Sequence, residues 1–227
     1  MIKLIVFFLL IFNISHAVEF LGDFKQGSFI LGKTDPNSKV FIDDRKVRVS
    51  NDGYFAFGLD RDRKNNVLII IKKDGRTKKI EKKVLKREYK IQRIDGLPPK
   101  QVTPPPEVYE RIKKDNKLIG TARSLNTSYD FFKEKFIYPI DKYIITGVYG
   151  SQRILNGKPR WPHYGIDIAA KKGTMIKSSG SGTVTMAEDD LYYTGGTIIM
   201  DHGHGISTIY SHLETILVSV GDKINRG

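Results

Sequence analysis

The chain has 227 residues, 40% hydrophobic and 28% charged, which is enough for a packed core in one or two domains and too apolar for a disordered tail. It has no cysteine, so disulfides, thiolate nucleophiles and Cys-ligated zinc are excluded together, and any metal must be held by His, Asp or Glu. A formal net charge of +13 and a pI near 9.7 favour contact with polyanions, whether nucleic acid, an anionic membrane or an acidic cell-wall polymer, although most single Lys and Arg side chains only keep a surface soluble.

Residues 1–17, MIKLIVFFLLIFNISHA, place Lys3 ahead of an apolar run from Leu4 to Phe12 and small residues Ser15 and Ala17 in a cleavable spacing, the pattern of a secretory signal peptide. The run is about half of the ~20 apolar residues that a membrane span requires. The expectation is an exported protein, periplasmic or cell-wall associated, that begins near Val18 and meets the membrane only through this segment.

Residues 18–95 read as short strands. SFILGKT, KVFIDD, KVRVS, YFAFGL and VLIIIKK are separated by TDPNS, SNDG, RDRKNN and KDGRT, which supply Asp, Asn, Pro and Gly where turns require them. Asp74 with Gly75 suits a type I′ hairpin. A small antiparallel β-sandwich is expected, with no chemistry of its own, since no histidine occurs between 18 and 162 and its acids sit in turns. The five prolines of LPPKQVTPPP, residues 97–106, mark a stiff linker. Within the connector 96–135, EVYERIKKDNKLIGTAR spaces Val108, Ile112 and Ile119 for a helix that Asp115 and Asn116 interrupt.

Residues 136–227 return to β-pattern, with no helix-length amphipathic run, so the fold class is mainly β throughout. This half holds His163, His202, His204 and His212, every histidine after residue 17. His163 and Asp167, in PHYGID, are either half of a metal site or two polar loop residues. On an ideal strand they would lie about 13 Å apart, while Pro162, Gly165, Ile166 and Ile168 disfavour the helix that would join them. A bend at Gly165 is the workable geometry. IIMDHGHGISTIYSHL, residues 198–213, reads as a hairpin with His202 and His204 at its turn, solvated in the plainer reading, and with Tyr210 and His212 facing one side of the returning arm.

PHYGIDIAA, GTVTMAE, GGTIIMDHGHGISTIYSHL and VSVGDKINRG, in that order, resemble successive motifs of the lysostaphin- and LytM-type zinc metallopeptidases, which hydrolyse peptide cross-links of peptidoglycan. The likeness runs from about Phe136 to Gly227, with GVYGSQRILNGKPR similar to the segment that leads into that domain. It implies zinc (Zn2+) as cofactor, His163 and Asp167 as metal ligands, His212 as a catalytic residue and a peptidoglycan peptide as substrate. His202-Gly203-His204 mimics the family's His-x-His element but falls in the preceding hairpin. The sequence stops before that element would occur, so the third ligand and second catalytic histidine are expected to be missing, with the C-terminal strands, and the last residues to leave an unpaired apolar edge. His202 or His204 swinging in as a substitute ligand is the remaining possibility. Asn156 sits where related enzymes can carry an inhibitory asparagine. The alternative function is a non-catalytic cell-wall-binding module or an activator of a partner hydrolase. Nucleic acid is not expected as a partner, because no zinc-finger spacing or RNP-like motif accompanies the charge.

Overall fold

The structure, a computed structural model, describes residues 18–98 and 103–227. The expected signal peptide at 1–17 and part of the proline linker lie outside the described residues. No helix among the described residues is long and apolar enough to cross a membrane.

The first seven strands are Glu19–Leu21 (β1), Phe29–Lys33 (β2), Lys39–Ile42 (β3), Arg45–Val47 (β4), Tyr54–Gly58 (β5), Val67–Lys73 (β6) and Arg76–Lys82 (β7). They form two antiparallel sheets in the orders β1-β2-β5 and β4-β3-β6-β7. Alternation explains the core: Ile30, Phe55 and Phe57 from one sheet meet Val40, Val67 and Ile69 from the other, all essentially inaccessible to solvent. Asp74 and Gly75 both have positive φ (48° and 72°), as the type I′ turn between β6 and β7 requires. The expected small sandwich is therefore present. β7 is an edge strand, and Lys78 and Lys79 stand exposed on it, charges that discourage pairing with another chain.

Ile91–Ile94 (β8) leaves the sandwich and pairs in parallel with Gln152–Leu155 of the C-terminal half. A strand from the expected N-terminal domain thus belongs to a sheet of the C-terminal half. After the linker, a 3-10 turn at Pro106–Val108 leads into Tyr109–Arg123 (α1). Asp115 does not break this helix. It lies on the inner stripe with Ile112, Leu118, Ile119 and Ala122, and its carboxylate accepts the Tyr192 backbone N–H at 2.8 Å. The connector is also fastened to the sandwich: Arg48 donates to the side chain and carbonyl of Asn126, and Lys133 pairs with Asp52.

The C-terminal half contains Ile144–Gly147 (β9), Gln152–Leu155 (β10), Lys158–Pro159 (β11), Asp167–Ala169 (β12), Gly182–Leu191 (β13), Gly195–Gly203 (β14), Ile206–Leu213 (β15) and Lys223–Ile224 (β16). The main sheet has the order β15-β14-β13-β16. β14 is central, and α1 covers one face through Leu118, Ile119 and Ala122 against Met186, Leu191 and Ile199. The last residues do not form the expected unpaired apolar edge. β16 pairs with β13, while Leu217 and Val220 lie in an exposed loop. Exposed apolar side chains occur instead on and beside the two-stranded β9–β12 sheet, at Ile144, Ile145 and Ile166.

Candidate functional site

The chain bends at Gly165, which brings His163 and Asp167 together. His163 sits on the incoming loop, Asp167 is the first residue of β12, and Nε2 lies 3.1 Å from Oδ1. Asp167 opposes Gly147 across the β9–β12 pair, with a register shift just after it. Its carboxylate occupies the space that a Cβ on residue 147 would need. A glycine inside a strand marks a close approach of this kind, and YIITGVYG carried that signal unread in the sequence.

His163 Nδ1 lies 3.3 Å from the Val148 carbonyl oxygen. Val148 O and Asp167 Oδ1 can both only accept, so the ring gives its proton to one of them and, when Nδ1 holds it, turns the Nε2 lone pair toward the carboxylate. A ring nitrogen and a carboxylate oxygen 3.1 Å apart share either a proton or a cation. An imidazole nitrogen backed by a carbonyl, together with a carboxylate oxygen, is the donor chemistry of a zinc shell. The backbone around the ring is also tied down. His163 N–H donates to Ser151 O at 2.8 Å and His163 O accepts from Gly150 N–H at 2.7 Å. The Val148–Ser151 turn closes with Ser151 N–H on Val148 O, and Gly150 has φ +86°, the value that a type II turn demands at its third residue. His163 is 34% exposed and Asp167 60%, so the pair is open to solvent.

The other histidines go elsewhere. His202 is not a solvated turn residue: it lies in β14, fully buried, because its two ring nitrogens have partners across the sheet. Nδ1 meets Ser181 O at 2.6 Å and Nε2 meets Thr208 Oγ1 at 2.8 Å. Burial pushes its imidazole below the ordinary value. His204 does occupy the turn, with φ +55°, yet its ring packs on Phe132 at 4.3 Å rather than in water, and burial lowers its pKa too. Neither joins the His163–Asp167 pair, and among the described residues no group of three His, Cys, Asp or Glu forms a metal cluster.

His212 is exposed at the end of β15 with φ +61°. Ser211 and His212 together face Thr197, since Ile198 pairs with Tyr210 and Gly196 with Leu213. This β-bulge breaks the two-residue alternation, so Tyr210 and His212 do not share a side as spacing alone predicts. The Tyr210 hydroxyl instead accepts the Ser179 N–H at 2.8 Å, half-buried beside Thr208. Asn156 is likewise committed elsewhere: its side-chain amide donates to Leu97 O at 2.7 Å and accepts Leu97 N–H at 3.0 Å, prolonging the β8–β10 ladder.

Comparison with known proteins places these features in a family context. Residues 161–227 match the model of Peptidase family M23. A peptidoglycan DD-endopeptidase of Vibrio cholerae is 37% identical over 92 residues, 40% of this chain and 21% of the relative. The murein hydrolase activator EnvC of Escherichia coli is 37% identical over 79 residues, 35% of this chain and 18% of the relative. An uncharacterized metalloprotease of Buchnera aphidicola is 32% identical over 118 residues, 52% and 30% of the two chains. The matched region spans a third or less of each of these relatives. A crystal structure of a Pseudomonas aeruginosa chain assigned to peptidase M23 superposes with TM-score 0.66 over 89% of this chain and 79% of its own at 19% identity, a likeness of fold.

Proposed function

We propose that the C-terminal half is a zinc peptidase module that cleaves peptide cross-links of peptidoglycan at the cell envelope. The observation that carries the reading is the His163–Asp167 pair, an imidazole nitrogen and a carboxylate oxygen that converge at 3.1 Å, with the Val148 carbonyl behind the ring. His163 and Asp167 would hold the metal, which when bound polarises a peptide carbonyl and acidifies water. With Nδ1–H on the Val148 carbonyl, His163 would present an unprotonated Nε2, and Asp167 would supply the negative charge that favours a dication. His212, exposed and unencumbered by the buried network around His202, is the imidazole free to take or give a proton to a substrate. The cationic surface, +13 over the chain, favours an acidic polymer.

One observation supports a second reading, in which the module binds the cell wall or activates a partner hydrolase without cutting. Two ligands fill only part of the roughly three-residue protein shell of a catalytic zinc, and no third donor stands beside them among the described residues. Zinc stoichiometry combined with digestion of purified sacculi decides between the two. Chelator-sensitive release of cross-linked peptides establishes the peptidase. Sedimentation with sacculi and no release, with or without added zinc, leaves the binding module.

A further inference from the structure

The N-terminal sandwich reaches the candidate site through one buried side chain. Arg61, 7% exposed, directs Nε and Nη2 onto the Gly150 carbonyl at 2.9 and 2.7 Å and Nη1 onto Asp62. Its guanidinium also lies over the Tyr89 ring at 4.3 Å, and the Tyr89 hydroxyl donates back to the Arg61 carbonyl at 3.0 Å. The Tyr89 ring fills the volume that a Cβ on Gly150 would need, and the Tyr149 ring does the same at Gly27. A guanidinium taken this far out of water must keep its acceptors, so the Gly150 carbonyl is held by strong donors in a fixed fork.

Gly150 is the third residue of the turn whose first carbonyl, Val148 O, orients His163. The same Gly150 gives its N–H to the His163 carbonyl. A continuous set of hydrogen bonds therefore runs from the sandwich through Arg61, the Gly150 peptide and Val148 to the imidazole. We infer that Arg61 is a positioning residue: through Gly150 it fixes the Val148 carbonyl against Nδ1, which biases His163 toward the Nδ1–H tautomer and aims Nε2 at Asp167. The N-terminal sandwich is then part of the site's construction as well as a separate module. The inference concerns the metal site only insofar as His163 is read as a ligand, whereas the tautomer is a property of the chain itself.

The test compares Arg61→Ala, Arg61→Lys and Arg63→Ala with the wild type. Arg63 serves as the control because its guanidinium grips Asp43 and the 65–66 carbonyls within the sandwich alone. The first readout is the His163 tautomer from nitrogen-15 NMR under mildly alkaline conditions, and the second is Co2+ affinity from its visible absorption. Arg61→Ala is expected to shift His163 toward the Nε2–H form and to weaken Co2+ binding about tenfold, the scale of lost outer-shell support. Arg61→Lys should fall between, since an ammonium offers a point charge and no fork. Arg63→Ala should lower thermal stability and leave both readouts unchanged. An unaltered tautomer in folded Arg61→Ala overturns the inference, and so does an equal shift in Arg63→Ala. If Arg61→Ala does not fold, an unaltered tautomer in Arg61→Lys overturns it. A wild type that binds no Co2+ refutes the proposed zinc function, while the tautomer comparison still decides the role of Arg61.

Discussion

Replacing Gly147 with alanine separates the site from the fold. The backbone there is not in the left-handed region, and Ala, with less unfolded-state entropy to lose than Gly, favours folding by about 0.4–1 kcal/mol. The added methyl would lie 2.7 Å from Asp167 Cγ and closer still to Oδ2, whereas ordinary contact begins at 3.4 Å. The carboxyl carbon must therefore retreat by about 0.7 Å, several times the ~0.2 Å tolerance of a metal–ligand distance. Asp167 is exposed enough to swing outward, so the strain leaves through the side chain and does not spread into β9. The expected result is a melting temperature near the wild type's with Zn2+ or Co2+ affinity about 10- to 100-fold lower, ~1.4–2.7 kcal/mol. Isothermal titration with either metal, run beside a thermal melt, reads both quantities. Wild-type affinity in a folded Gly147→Ala protein would refute the placing of Asp167 by Gly147.

Further outcomes follow from the other side chains. His212→Asn keeps a residue that tolerates φ +61° and removes the imidazole, so zinc binding should persist while digestion of sacculi falls by about 10²–10⁴; undiminished digestion takes His212 out of the chemistry. Because burial lowers the His202 pKa, the unfolded chain binds a proton that the folded chain refuses. Stability is then full above the ordinary value of 6.5 and falls as pH drops below it, by at most about 1.4 kcal/mol per pH unit for one group. Urea midpoints between pH 5 and pH 8 should thus decline less steeply in His202→Gln, with the remaining slope shared by His204; an unchanged slope refutes the assignment. Asp115→Ala should cost about 1–2 kcal/mol by orphaning the Tyr192 N–H, and hydrogen exchange at that amide should speed up; an unchanged exchange rate would show that the helix is held without it.

Periodicity and turn chemistry were legible in the sequence by themselves. VLIIIKK and RTKKIEK around Asp74-Gly75 declared a hairpin, IIMDHGHGISTIYSHL declared another, and Gly165 announced the bend between His163 and Asp167, because each rests on interactions within a few residues. Burial, by contrast, depends on what the fold brings from a distance. His202 reads as a turn residue until Ser181 and Thr208 close on its ring, and Asp115 reads as a helix breaker until the β13–β14 hairpin presents Tyr192. The bulge at Ser211–His212 is invisible to a two-residue alternation because it arises from the close approach of Gly196 to Leu213 on the neighbouring strand. What the tertiary structure alone decided is the support behind His163: a carbonyl 15 residues upstream, and an arginine 89 residues from Gly150, reach it through space that no local spacing encodes.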